Sequence, residues 1–489
     1  MLFNSHIFML LFLPLLLAGW YFLNWKKKFQ LAQGYLIGMS LWFYAYANLQ
    51  YLWLLLFSCL IGWLLSCLPE KIFSEKGEKV LTGVGCVFHL GLLGYFKYSN
   101  FFLENLNTVF HTDFPMLQIL LPIGISFYTF QQLAYLIDRC RGDAPRDSFF
   151  DYLTFMVYFP QLLQGPILLR SEFMGQLKEP ERRRFHAERF SEGIQFFVFG
   201  LAKKVLLADT LAKAVNYGYS NVSMLDSISA LLLAVGYLTE LYFDFSGYCD
   251  MAVGLGKMIG LEVAENFDAP FHSASVKEFW RRWHMTLGRF FTRYVYIPLG
   301  GNRRGKMRTL CNVMIVMLLS GLWHGAAWTF VLWGFLHGVG MIWDNLEHPH
   351  FPKKWMRQAA TFAYVCMTFV FFRAESIAQG VDVLKSIVSL KWNGFVFQMA
   401  SALDMTECYI ITKALSMKLP GLLSWFWLGI FVVLIAICFR VLSGEKVSGV
   451  VALQRQKGYG RLYPVLLAVL FTWSMISMTG VSEYLYFSF

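Results

Sequence analysis

Windows of about 20 residues with almost no charge recur along the whole chain, and no other feature limits its fold as much. In hydrocarbon every backbone polar group must be satisfied within the protein, and a helix of that length both crosses and satisfies itself. By this criterion the spans are 7–24, 32–48, 50–68, 80–96, 116–137, 226–246, 420–441 and 461–480. Segments 150–169, 193–208, 309–322, 325–343 and 358–372 are apolar but broken by Gly, Pro or charge, so some of them read as re-entrant or half-spans buried in protein. Together they predict an all-α polytopic membrane protein with about 11 crossings. A water-soluble chain is excluded by 57% hydrophobic and 18% aromatic residues over 489 positions, with a mean hydropathy of +0.49.

The first apolar run is followed, not preceded, by Lys26-Lys27-Lys28, and no small-residue cleavage site appears. It is therefore expected to stay as a helix with its N-terminus outside. Connections 25–31, 69–79 and 138–149 carry Lys26, Lys27, Lys28, then Lys71, Lys76, Lys79, then Arg139, Arg141, Arg146, whereas 49 and 98–115 carry none. The positive-inside rule puts the first set in the cytoplasm, along with Arg182-Arg183-Arg184 and the stretch from Arg281 to Arg308. The net charge of +11 lies mainly in such loops, which speaks for topology and contact with anionic headgroups of the bilayer rather than nucleic acid. Nine cysteines are scattered singly, without zinc or disulfide spacing. No linker or internal repeat divides the chain, so 1–489 is expected as a single membrane domain, with N-terminal helices in 1–138, a core region in 139–380 and C-terminal helices in 381–489.

Titratable side chains at membrane depth are costly and mark functional sites. Ser320-Gly321-Leu322-Trp323-His324-Gly325 puts one imidazole next to glycine in an apolar run from Leu310 to Trp343. Phe279-Trp280-Arg281-Arg282-Trp283-His284 through Phe290 reads as one amphipathic interfacial helix, with Trp280, Trp283, Leu287 and Phe290 at 3 and 4 spacing. A basic anchor with a solvated histidine is the plain alternative for it. Tyr296 to Gly305, with Pro298-Leu299-Gly300-Gly301-Asn302-Arg303-Arg304, is a turn-rich cationic loop suited to phosphate. Glu240 and Asp244 share a helix face, and one of them is expected to pair with Arg281, Arg282 or Arg289 in a structural role. Leu121 to Gln132 mixes Pro122 with hydroxyls and amides, and either lines a cavity or glues helices. His337 reads as core.

In this order the motifs resemble the membrane-bound O-acyltransferases, and within them the branch of the bacterial alginate O-acetyltransferase membrane subunit. The resemblance runs from Leu2-Phe3-Asn4-Ser5 and Phe12-Leu13-Pro14 through Leu121–Gln131, Tyr158–Ile167, Phe243–Tyr248, Phe279–Arg304, Ser320–Gly325 and Phe371–Ala374 to the closing Tyr486-Phe487-Ser488-Phe489. Cys249 and Gln164 depart from it, at positions given no chemistry here.

The resemblance implies a helical bowl of transmembrane, re-entrant and horizontal helices around a central tunnel. His324 falls on the family's catalytic histidine and His284 on its other characteristic one. It further implies acetyl transfer from a cytoplasmic donor, acetyl-CoA as co-substrate with no bound cofactor, across the bacterial cytoplasmic membrane. A secreted or membrane-anchored acetyltransferase on the outer face would be the partner and a polysaccharide the final acceptor. Relatives that D-alanylate teichoic acid share the Trp-His pair but lack the Pro298–Arg303 run, which leans the reading to acetylation.

Transfer of an acyl group to an alcohol needs a base for the hydroxyl proton, and a buried neutral imidazole suits that task. His284, Asn302 or a backbone amide near Gly325 would orient the donor, and Arg281, Arg282, Arg303 and Arg304 would hold its phosphates. Trp283, Trp323, Glu240 and Asp244 would be structural or line the tunnel. The alternatives are D-alanyl or other acyl transfer to teichoic acid or peptidoglycan and, from a different class, a lipid or polysaccharide transporter, which would carry paired broken helices in inverted repeats.

Overall fold

Every regular element among the described residues is helical. The computed structural model describes residues 1–67, 75–346, 352–442, 446–458, 460–478 and Leu485. Lys71 and the closing residues 486–489 lie outside them. Among the described residues six helices are long and apolar enough to cross a membrane by themselves: Phe8–Trp25, Leu49–Cys67, Lys76–Phe110, Ser227–Ile259, Lys306–His324 and Pro420–Val441. The segment 309–322, expected as interrupted, lies within one of these six, whereas the span expected at 461–480 is represented among the described residues by the shorter apolar helix Leu462–Ser477. The described residues fall into two compact units whose pieces alternate along the chain: Met1–Phe197 with Tyr248–Glu265 and Arg289–Pro298, and Val198–Gly247 with Asn266–Gly288 and Leu299–Phe489.

The first unit contains α1 (Leu13–Trp25), α2 (Phe29–Cys67), α3 (Glu75–Leu93), α4 (Ser99–Phe110), α5 (Ile125–Cys140) and α6 (Phe149–Val157). Segments 32–48 and 50–68, expected as two spans, form the single helix α2 instead. Asn48-Leu49-Gln50 offers neither glycine nor proline to stop the ladder, and polarity alone does not break a helix. At 1.5 Å per residue α2 is about 58 Å long, so the connection expected at 49 does not exist. The span expected at 116–137 is shortened the other way. Residues 112–124, which include Pro115, Pro122 and the left-handed Gly124, form no regular structure, and α5 starts at Ile125.

The N-terminal residues supply this unit's core. Phe3 stacks on Tyr248 at 4.8 Å, and Phe12, Phe43 and Phe159 meet with centroids 5.4–5.7 Å apart. The amides of Leu121–Gln132 glue helices: Gln131 donates to the Phe155 carbonyl at 3.2 Å, and Gln132 accepts from the Tyr152 hydroxyl.

The second unit contains α7 (Asp209–Ser220), the first part of α8 (Ser227–Ile259), α9 (Val276–Arg282), the start of α10 (Met285–Phe291), α11 (Lys306–His324), α12 (Trp328–Asn345) and α13 (Lys354–Arg373). Helices α11 and α12 form a tight hairpin, and α13 packs along α12. His337 on α12 is core, as expected. Its Nδ1 accepts from Trp280 Nε1 at 3.2 Å and its Nε2 lies 2.9 Å from the Thr368 hydroxyl. That hydroxyl gives its own proton to the Val365 carbonyl, so Nε2 of His337 is the donor to it.

Candidate active site

The stretch expected as one helix over 279–290 breaks at Trp283-His284. Helix α9 ends at Arg282, Trp283 is extended (φ −104°, ψ 129°), His284 takes φ 47°, and α10 starts at Met285. A left-handed backbone is costly for a residue with a Cβ and persists only where the surroundings impose it. Here Asn266 imposes it. Its carbonyl accepts from the backbone of Met285 at 3.0 Å, and its side-chain oxygen accepts from the Thr286 amide at 3.1 Å and hydroxyl at 3.0 Å.

The same Asn266 oxygen lies 3.2 Å from Nδ1 of His284. An amide oxygen only accepts, so Nδ1 carries the proton and Nε2 presents the lone pair. His284 is 1% exposed, and burial pushes its imidazole down to about 3, so the ring is neutral.

His324 is the last residue of α11 and is also buried. Its ring centroid lies 6.5 Å from that of His284, with Trp323, Trp333 and Phe372 at 5.0–5.1 Å around it. Trp323 also meets His284 at 6.1 Å, and Phe245 closes on His284 at 4.8 Å. The fold thus brings together the two histidines that lie 40 positions apart, inside one aromatic shell. Trp283 is buried beside it, against Phe267, Phe279 and Phe369.

Beyond Phe372 lies a cavity of about 720 Å³, bordered by Glu240, Asp244, Lys204, Asp209 and Arg373, with Ala327 and Thr329 at the start of α12. The expected pairing of Glu240 or Asp244 with Arg281, Arg282 or Arg289 is corrected by Lys204. Its Nζ lies 2.6 Å from Asp244 and 2.8 Å from Asp209. Lys204 reaches Asp244 from a wide helical turn, Lys203–Ala208, that continues into α7, while the arginines are engaged or exposed. Arg282 pairs with Glu278 of its own helix at 2.9 Å, Arg289 pairs with Glu172, and Arg281 is exposed. Glu240 is 1% exposed and neither carboxylate oxygen has a hydrogen-bond partner among the described residues.

Asn302, Arg303 and Arg304 are exposed on a loop that Asn312 fixes by donating to the Gly301 carbonyl at 2.9 Å. Asn312 stands 12 residues before His324 on α11, which separates the loop from His324 by roughly 18 Å at 1.5 Å per residue. Asn302 therefore cannot touch an acyl group held at His324. Asn266, Lys204 and Phe372 were given no part in the site by the sequence. Asn266 stands in an irregular segment 18 positions before His284, with no local pattern to mark it.

The model of the membrane-bound O-acyltransferase family matches residues 141–379. The chain is 35% identical over 423 residues to the peptidoglycan O-acetyltransferase of Helicobacter pylori, covering 80% of each protein. It is 40% identical over 389 residues to the probable alginate O-acetylase AlgI of Azotobacter vinelandii, covering 77% of this chain and 76% of that one. The teichoic acid D-alanyltransferase of Streptococcus thermophilus is 28% identical over 253 residues, 49% of this chain and 58% of that protein. Identities of 35–40% over three quarters or more of both partners are a relation of whole chains, and the chain belongs to the membrane-bound O-acyltransferase family as an O-acyltransferase.

Proposed function

We propose that this multi-pass membrane enzyme moves an acetyl group from a cytoplasmic thioester, acetyl-CoA, to a hydroxyl acceptor outside the membrane for O-acetylation of an envelope polysaccharide. His324 is the general base. The observation that carries this is the place of His324: a buried imidazole at the end of α11, facing His284 and separated by one ring, Phe372, from a polar cavity.

In the reaction the acceptor oxygen attacks the thioester carbonyl carbon. A C–O bond forms, the C–S bond breaks, and the hydroxyl proton passes to His324 and on to the departing sulfur. The C-terminal end of α11 favours the cationic ring that forms on the way, an effect of about 0.3–1 kcal/mol, more where buried. Amides at the start of α12, which follows His324 after three residues, are suited to the oxyanion. His284, neutral with its Nε2 lone pair toward the aromatic shell, positions the donor. Arg303 and Arg304 hold donor phosphates at the far end of α11, with Arg281 and Arg282 as further cations.

The enzyme resides in the bacterial cytoplasmic membrane. Lys26-Lys27-Lys28 directly follow the first span, which puts that connection in the cytoplasm and the N-terminus outside. A secreted or membrane-anchored acetyltransferase on the outer face passes the group to the polysaccharide. The names of the relatives favour acetyl over D-alanyl as cargo, since the O-acetyl relatives match more of the chain at higher identity.

Purified protein in liposomes, given labelled acetyl-CoA, is expected to release CoA and label a hydroxyl acceptor. His324→Ala is expected to abolish this while keeping its thermal midpoint. Unchanged turnover in that variant removes His324 as the base, and turnover with a D-alanyl carrier protein alone changes the cargo.

A further inference from the structure

A buried carboxylate without a donor is among the most costly groups a fold can hold, and it signals a missing partner. Glu240 is such a group. It is nearly inaccessible, both its oxygens lack a hydrogen-bond partner among the described residues, and it borders the 720 Å³ cavity behind Phe372.

The charges around it restrict what the partner can be. Asp209, Glu240, Asp244 and Glu375 stand against two cations, Lys204 and Arg373. Both cations are already partly engaged, and the carboxylates outnumber them. Lys204 is held between Asp244 and Asp209, and Arg373 donates to Asn216 at 3.0 Å while lying over the Tyr219 ring at 5.0 Å. Even with a proton on Glu240 the cavity carries no net positive charge, so a carboxylated polymer or a donor phosphate would enter against the field and lose its hydration without replacement. A neutral hydroxyl-bearing group gives the carboxylate the donors it lacks.

We propose that this cavity is the acceptor subsite, that Glu240 positions an acceptor hydroxyl by accepting its hydrogen bond, and that the site admits neutral hydroxyl-bearing acceptors and rejects anionic ones. The inference rests on the reading of His324 as the base, because Phe372, which borders the cavity, is also the ring packed on His324 at 5.1 Å. Asn216 and Glu375 are exposed and form its mouth. An acidic polysaccharide would then be acetylated only at second hand, by a neutral hydroxyl carrier loaded here.

The test is binding, which does not depend on turnover. Isothermal titration of the detergent-purified protein with a neutral glucose tetramer and with a mannuronate tetramer is expected to show binding of the first and none of the second. Glu240→Gln is expected to weaken the neutral tetramer roughly 2- to 10-fold, the range for an ordinary hydrogen bond. Asn216→Ala, at an exposed position, is expected to weaken it several-fold without threatening the fold. Preference for the uronate, no binding of the neutral tetramer to wild type, or equal binding by Glu240→Gln overturns the assignment. Should Glu240→Gln not fold, the wild-type comparison of the two tetramers decides alone. Selective binding without acetyl transfer would leave the subsite standing and remove the catalytic reading of His324 instead.

Discussion

Gly321 and Gly334 face each other where α11 crosses α12. A Cβ on Gly321 would stand 2.3 Å from the Phe330 carbonyl oxygen, and one on Gly334 would stand 2.5 Å from that of Met317. No side chain fits between the two backbones, and this close approach puts Trp333 against His324, one turn further along α11. Gly321→Ala is therefore expected to push the hairpin apart at a cost of about 1–3 kcal/mol. The check is thermal unfolding in detergent, where an unchanged midpoint would show that the crossing tolerates a methyl group.

His324 and His284 should separate kinetically although their rings are neighbours. His324→Ala is expected to lower kcat by roughly 10²- to 10⁴-fold, the usual worth of a general base. His284→Gln is expected to act mainly on KM for the thioester. Initial rates across a donor series check this, and equal losses of kcat in both variants would make the pair a single proton-transfer unit.

His284 also makes stability depend on pH. Its imidazole titrates near 6.5 when unfolded and at about 3 in the fold, so between those values the unfolded chain binds more protons. This contribution is fully present above pH 6.5 and is lost as the pH falls, at up to about 1.4 kcal/mol per unit. Wild-type protein is expected to lose thermal stability between pH 6.5 and 4 more steeply than His284→Gln, and parallel curves would contradict it.

Asn266 offers a sharper test of the break at His284. Asn266→Ala removes the acceptor of three donors, and is expected to cost about 1–3 kcal/mol by leaving buried donors unpaired. Asn266→Asp keeps an acceptor for all three but adds a negative charge beside the ring, so protonation of His284 moves to higher pH. Histidine resonances followed by NMR through a pH titration would show this, and an unmoved His284 would exclude the bond to Nδ1.

Lys204 holds two carboxylates. Lys204→Met leaves Asp244 buried without its cation and is expected to destabilise by about 3–5 kcal/mol. Adding Asp244→Asn should restore much of the loss, which a double-mutant cycle measures. No recovery in the double variant would mean that Lys204 acts chiefly through Asp209.

Much of this was legible in the chain itself. Apolar runs of bilayer length fix a helical membrane protein because hydrocarbon admits no other open backbone, and Trp323-His324-Gly325 stands out because an imidazole in such a run is expensive to keep. Local pattern is silent wherever partners are distant in the chain. The periodicity of Phe279–Phe290 is that of one helix, and Asn266 breaks it from 18 positions away. The face shared by Glu240 and Asp244 was plain, but the cation that answers Asp244 is Lys204 and not one of the nearby arginines.

The sequence by itself determined the solvent and the helical class and singled out His324 as the candidate base, since each follows from local composition and transfer energy. Only the tertiary structure decided that α2 runs unbroken through residue 49, that His284 turns left-handed to face His324, and that Glu240 looks into a cavity without a donor. Those outcomes depend on which distant groups meet in three dimensions, and short-range pattern carries no record of such meetings.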